Sequence, residues 1–231
     1  MSIQFADLAR SAAAAGDVSP PTLLAMQQLG WRDGTIDRHE AETLFALNRA
    51  LVQPSGEWTD FFVDALCEFV LNHGEPVDAC DESEARWLIG AIDSGGQPVT
   101  MAELELLVRV IERGRAVPGS LRLYALQQIE AAVLRDTGPT RVGSDDAARH
   151  VTGAECRLMR RILFASGGRM PVAIIPSEAE TLIAIERATR AGDNSDEWGQ
   201  LMSDAAESLL GRKLASGESP ESALREALAA D

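Results

Sequence analysis

The sequence predicts an all-α protein: three diverged three-helix repeats, each a helix-loop-helix plus a third helix, with an extra helix at either end. Three observations predict it. The phrase Glu40-Ala-Glu-Thr-Leu-Phe-Ala-Leu-Asn-Arg-Ala50 returns as Glu178-Ala-Glu-Thr-Leu-Ile-Ala-Ile-Glu-Arg-Ala188, with eight of eleven residues identical at an offset of 138. A Glu-Trp follows each copy, Glu57-Trp58 and Glu197-Trp198, at an offset of 140. From each Trp an apolar ladder then runs on at i, i+3, i+4, i+7 and i+8, the spacing of one buried helix face. It reads Trp58, Phe61, Phe62, Ala65, Leu66, Phe69, Val70 in one copy and Trp198, Leu201, Met202, Ala205, Ala206, Leu209, Leu210 in the other. Composition agrees: aromatic residues are only 5%, β-branched runs are few, and Ala, Leu, Glu and Arg dominate, which favours helix.

Each element has a start or stop signal. An N-terminal helix is expected from Ile3 to Ala15. The first copy opens at Ser19-Pro20, where Ser caps and Pro suits the first helical position. Its first helix runs through Leu23, Leu24 and Met26 towards Asp33-Gly34. The second starts at the capping box Asp37-Arg-His-Glu40 and carries Leu44, Phe45 and Leu47; the third is the Trp58 ladder. In such a box the cap oxygen and the Glu carboxylate satisfy orphan amides reciprocally. The middle copy opens at Asp81-Glu-Ser-Glu84, runs through Trp87, Leu88 and Ala91 to Gly95-Gly96, and restarts at Thr100-Met-Ala-Glu103. Its third helix begins near Pro118-Gly-Ser120 and carries Leu121, Tyr124, Ala125, Ile129, Ala132 and Val133. The third copy opens at Thr152-Gly-Ala-Glu155 and runs to Gly167-Gly168. It restarts at Pro176-Ser177, with Ser177 and Glu180 as the expected box, and ends in the Trp198 ladder. A C-terminal helix is expected from Pro220 to Ala230. The turn-rich stretch 136–151 reads as a linker between a lobe of residues 1–135, holding the first two copies, and a lobe of residues 152–231.

The 231 residues suffice for one large or two small cores. The formal charge is −15, from 36 acidic against 21 basic residues. That field repels phosphate backbones, so no nucleic-acid binding is expected, and Arg157, Arg160 and Arg161 read as one solvated or ion-paired helix face. The cysteines, Cys67, Cys80 and Cys156, are odd in number and lack CxxC spacing, so they read as small buried residues in a reducing compartment. No basic start followed by an apolar core opens the chain, and no apolar run approaches the roughly 18 residues of a bilayer span. A cytoplasmic location without membrane span is the expectation.

One loop suggests metal chemistry. In Leu29-Gly-Trp-Arg-Asp33-Gly34-Thr-Ile36-Asp37-Arg-His-Glu40, with Gly34 at the turn of a twelve-residue calcium loop, Asp33 falls at position five. Ile36 then falls at eight, Asp37 at nine and Glu40 at twelve, the places of a ligand, the apolar pairing residue, a ligand and the bidentate carboxylate. This segment resembles helix-loop-helix proteins of the EF-hand type. It is also similar to the TerB-like tellurite-resistance family, whose helical domains carry an Asp-Gly-x-Ile-x-x-x-Glu phrase. The resemblance implies a calcium site made of Asp33, Asp37 and Glu40. Leu29 and Trp31, at positions one and three, supply no side-chain oxygen, and capping alone accounts for Asp37 and Glu40.

Catalytic patterns do not emerge. His39 sits in a capping turn, His73 at a helix end and His150 near the linker, none in an HExxH pattern or beside a cysteine. There is no phosphate-cradling glycine loop and no GxSxG. Lys213 is the only lysine. The expectation is therefore a non-catalytic scaffold or adaptor that binds a protein partner with basic segments, through an acidic surface or an inter-helix groove. The alternative is a degenerate EF-hand-like or TerB-like calcium sensor.

Overall fold

The computed structural model describes residues 3–30, 35–72, 76–96, 99–135, 138–141, 149–165 and 173–229. Among them every regular element is a helix: α1 (Ile3–Ala15), α2 (Pro20–Gly30), α3 (Arg38–Ala50), α4 (Gly56–Asn72), α5 (Glu82–Asp93), α6 (Met101–Arg113), α7 (Gly119–Arg135), α8 (Gly153–Leu163), α9 (Pro176–Thr189), α10 (Asp196–Leu210) and α11 (Pro220–Ala229). The all-α class is as the ladders and caps predict. Among the described residues no helix is long and apolar enough to cross a membrane. The chain divides into two compact units, Met1–Val110 and Ile111–Asp231. The division falls inside α6, upstream of the 136–151 stretch, and it runs through the copy expected over α5–α7. Residues 136–137 and 142–148 of that stretch, and Gly167-Gly168, lie outside the described residues.

In the first unit, α1 buries Phe5, Ala9 and Ala12 and lies against α2 and α3. Gly30 of α2 faces the Phe5 ring, where an added Cβ would stand 3.5 Å from Cε2. The start of α3 is the expected box: Glu40 N donates to Asp37 Oδ1 at 2.8 Å, and Asp37 N to Glu40 Oε2 at 3.1 Å. All seven rungs of the Trp58 ladder on α4 are buried. The Trp58 indole donates to Asn48 Oδ1 at 3.0 Å, and Asn48 Nδ2 donates on to Thr100 Oγ1 at 3.2 Å. Phe45 meets Phe62 edge-on at 5.4 Å, and Phe69 meets Trp87 at 5.0 Å. Such aromatic pairs contribute about 0.5–1.5 kcal/mol beyond area burial. Boxes also open α5, at Asp81 and Glu84, and α6, at Thr100 and Glu103. Arg49 reaches from α3 to the Ala91 and Ile92 carbonyls in the last turn of α5, the place where a cation offsets the helix dipole.

In the second unit, α7 lies against α8 and α9, and α9 against α10, the neighbour order of α1 to α4. The Trp198 indole donates to Glu186 Oε2 on α9 at 2.7 Å. Glu186 stands at the 138-residue offset from Asn48, so both indoles reach the same position of the preceding helix. Leu209 and Leu210 are only half-buried, because α10 ends beside them at Gly211 in the left-handed region (φ 64°).

One expected cap is corrected. The helix after Pro176 is not opened by Ser177 and Glu180: Pro176 takes its first position, and Glu178 accepts the Ile175 amide at 3.0 Å. Ile175 has no side-chain oxygen to complete the box. Glu178 instead binds Arg122 of α7 through two hydrogen bonds of 2.8 Å each. The same device recurs at Glu155, which closes the Thr152 box and accepts Arg141 at 3.0 Å on each oxygen. Both ion pairs are almost wholly buried.

Candidate functional site

The ladder that buries one face of α4 dictates what the opposite face must be. Ser55 starts the helix by accepting the Trp58 amide at 3.1 Å. Between the inward rungs stand Glu57, Asp60, Asp64 and Glu68, at spacings of three, four and four residues. Such spacing places side chains in one line along a helix, here over about 16 Å. Glu57, Asp60 and Asp64 are exposed and Glu68 is half-buried. Asp64 accepts Arg109 at 3.2 Å. The carboxylates of Glu57, Asp60 and Glu68 have no hydrogen-bond or ion-pair partner among the described residues.

At its C-terminal end this ridge runs into a half-open cleft of about 230 Å³, lined by Thr35, Ile36 and Asp37 from before α3 and Ala65, Glu68, Phe69 and Asn72 from α4. Ile36, Ala65 and Phe69 make apolar walls, and among the described residues no basic side chain lines the space. The ridge belongs to a strongly charged unit. Residues 1–110 carry 18 acidic against six basic side chains, a net −12, whereas residues 111–231 carry 18 against 15, a net −3. Most of the charge thus sits on the first unit.

Two of the three candidate metal ligands, Asp37 and Glu40, fall among the described residues. Asp33 lies outside the described residues. Asp37 and Glu40 face each other's backbone amides, and Glu40 is only 6% exposed. Among the described residues no group of three or more His, Cys, Asp or Glu side chains converges as a cation would require. As arranged, Asp37 and Glu40 form a helix cap, and a cation placed on them would compete with the amides they hold. Slight burial works to raise the Asp37 pKa, but the hydrogen bonds it receives, the Glu40 and His39 amides among them, outweigh this and hold it below the usual value.

A depressed carboxylate contributes stability above its unfolded pKa and loses it as pH falls through the folded value. Asp37→Asn is therefore expected to cost about 0.5–2 kcal/mol near neutral pH, an effect that shrinks under acid, and Glu40→Gln, which alters the other half of the box, should cost no more than that. Calcium titrations of wild type and Glu40→Gln by calorimetry should be flat. Micromolar binding that vanishes in Glu40→Gln would reverse the assignment to capping.

Two of the three thiols are poor nucleophiles. Burial, aided by the Glu84 and Asp81 charges, pushes Cys80 up to about 12. Burial, aided by Glu197 and Glu155, pushes Cys156 up to about 11. Neither supplies thiolate at neutral pH. The ridge residues Glu57, Asp60, Asp64 and Glu68 were legible only as the complement of the ladder, and the motif reading, directed at loops, passed over them. Comparison with known proteins finds no matching family model, no matching curated protein and no matching solved structure.

Proposed function

We propose that the first unit is a non-catalytic protein-interaction module that docks a basic segment of a partner along α4. The observation that carries this reading is the line of carboxylates on that helix, three of them without a partner among the described residues. Their polar groups lie in file along the outward face of α4 and do not converge on a reacting centre, which supports binding over catalysis. Arg or Lys side chains at helical spacing match a line of this pitch, so the favoured partner element is a basic helix. The net −12 of the unit steers such a segment from a distance.

The test is calorimetric or anisotropy titration of hexa-arginine into the full chain at low and at moderate salt. Binding is expected to weaken as salt rises, because exposed pairs are screened beyond about 10 Å at 0.1 M. Glu57→Gln and Asp60→Asn should each weaken it about two- to fivefold, the share of an exposed charge pair. Affinity unchanged in the double variant would remove α4 as the docking face.

A further inference from the structure

We propose that the groove between α3 and α5 of the first unit binds a glutamate side chain of a partner, held by Arg86 and Arg49. This goes beyond the reading of α4 as a docking face and does not depend on it. Glu42, Phe45 and Arg49 line one side of the groove, and Arg86 and Gly90 the other, around a space of about 340 Å³. At the 138-residue offset Glu42, Phe45 and Arg49 become Glu180, Ile183 and Arg187, and at 139 residues Arg86 becomes Arg225. Those four line a groove between α9 and α11 in the second unit. The 139-residue register also pairs Glu82-Ser83 with Glu221-Ser222, and it sets buried Ala85 against buried Leu224.

In the second unit the two arginines grip a carboxylate. Glu221 pairs with Arg187 at 3.6 Å and also with Arg190 and Arg225, and its side chain is only 13% exposed. Burial works to raise its pKa, but Arg225, Arg190 and Arg187 outweigh this and hold it below the usual value. In the first unit the matching arginines hold no such group. Arg86 is exposed and has no hydrogen-bond or ion-pair partner among the described residues. Arg49 reaches Ser94 from Nη1 at 3.4 Å and stands 3.5 Å from Glu103 through Nε. Glu82, at the Glu221 position, pairs with neither arginine. Glu42, the acidic residue of the lining, is tied to Arg38 at 3.2 Å.

Two further features suit a ligand. Gly90 lies exposed inside α5, where glycine weakens a helix relative to alanine, yet an added Cβ there would meet nothing within 4 Å. Packing therefore does not require a glycine at this place, and its bareness leaves room beside Arg86. Trp87 lines the same wall and is half-buried, and its indole N–H, unlike those of Trp58 and Trp198, has no acceptor among the described residues. The net −12 of the unit opposes an acidic ligand, but charges beyond about 10 Å are screened at 0.1 M salt. Near the groove the balance differs: Arg38, Arg49 and Arg86, three of the unit's six basic residues, stand around it. Guanidinium forks match the two oxygens of a carboxylate.

The experiment is proton–nitrogen NMR of the full chain, read at the Arg86 Nε–H and Trp87 indole signals at matched ionic strength. N-acetyl-glutamate amide is expected to shift both signals saturably, while N-acetyl-glutamine amide leaves them in place. Arg86→Gln should weaken the titration, followed at Trp87, by about tenfold, the loss of a charge-assisted hydrogen bond. Gly90→Leu keeps every charge and fills the open space. It should abolish the shifts while raising the thermal midpoint, because leucine favours the helix that glycine weakens. Shifts that persist in Arg86→Gln or Gly90→Leu, or that the glutamine probe reproduces, would overturn the site. A response seen only in Glu82→Gln would mean that the chain's own Glu82 fills the groove, and would overturn it equally.

Discussion

Trp58→Ala is expected to destabilise the first unit by about 3–5 kcal/mol, the range for removing a buried aromatic side chain. The indole is fully buried, with Phe61 and Phe62 centred 5.8 and 6.1 Å away. Two costs combine. The cavity forfeits dispersion contacts that the surrounding rings cannot close up to recover. The Asn48 carbonyl, itself buried, also loses its donor, and an orphaned buried acceptor costs about 1–3 kcal/mol. Trp58→Phe separates the two terms, since it keeps most of the volume and removes only the donor. Equilibrium denaturation should show a lower midpoint with an unchanged slope. A shift within about 0.5 kcal/mol would place Trp58 among surface positions and contradict its packing.

The α4 ladder explains why much of the fold could be read from the chain. Helical spacing alone fixes which side of α4 is inward, so Trp58, Phe61, Phe62, Ala65, Leu66, Phe69 and Val70 all arrive buried. Capping boxes are equally local. Asp37, Asp81, Thr100 and Thr152 each find their partner three residues on. What escaped reading depends on distance in sequence. Glu178 binds Arg122 across 56 residues, and no pattern within a helix foretells that partner or the shift of the cap to Ile175. The unit boundary also left no local mark. It falls within the continuous helix α6, whereas the glycine- and aspartate-rich stretch at 136–151 has the composition of a linker. Without that boundary the charge asymmetry is invisible, because the whole-chain −15 averages over a net −12 and a net −3. The candidate site was therefore half legible: Asp37 and Glu40 stood out as a cap, while Glu68 required knowing that α4 and the loop before α3 share a cleft.

Arg122→Met should destabilise the second unit by about 3–5 kcal/mol, because it strands a buried carboxylate. The side chains of Arg122 and Glu178 are 4% and 0% exposed. Arg122 also donates to the Ala173 carbonyl at 3.2 Å, and Glu178 accepts the Ile175 amide, so the pair ties α7 to the first turn of α9. Breaking it from the other side, with Glu178→Leu, strands a guanidinium and should cost a similar amount. The double variant Arg122→Met/Glu178→Leu removes both charges together and should recover most of the loss, since apolar side chains of like volume replace buried ion pairs at little cost. Arg122→Lys should not rescue, because a single ammonium cannot reproduce the two-pronged geometry. The exposed pair Arg38–Glu42 is the control: its side chains are 64% and 51% exposed, and its removal should cost only about 0.3–0.5 kcal/mol. A double-mutant cycle from denaturation midpoints measures the coupling directly. Single variants that cost under about 1 kcal/mol, or a double variant as damaged as the sum of its parts, would show that Arg122 and Glu178 do not act as a buried pair. The same logic then carries to Arg141–Glu155, whose side chains are 2% and 0% exposed. If both pairs couple, the ordering of α7, α8 and α9 rests on two desolvated charges that a hydrophobic core alone would not need. Their cost is then the means by which this unit specifies one helix arrangement over its alternatives.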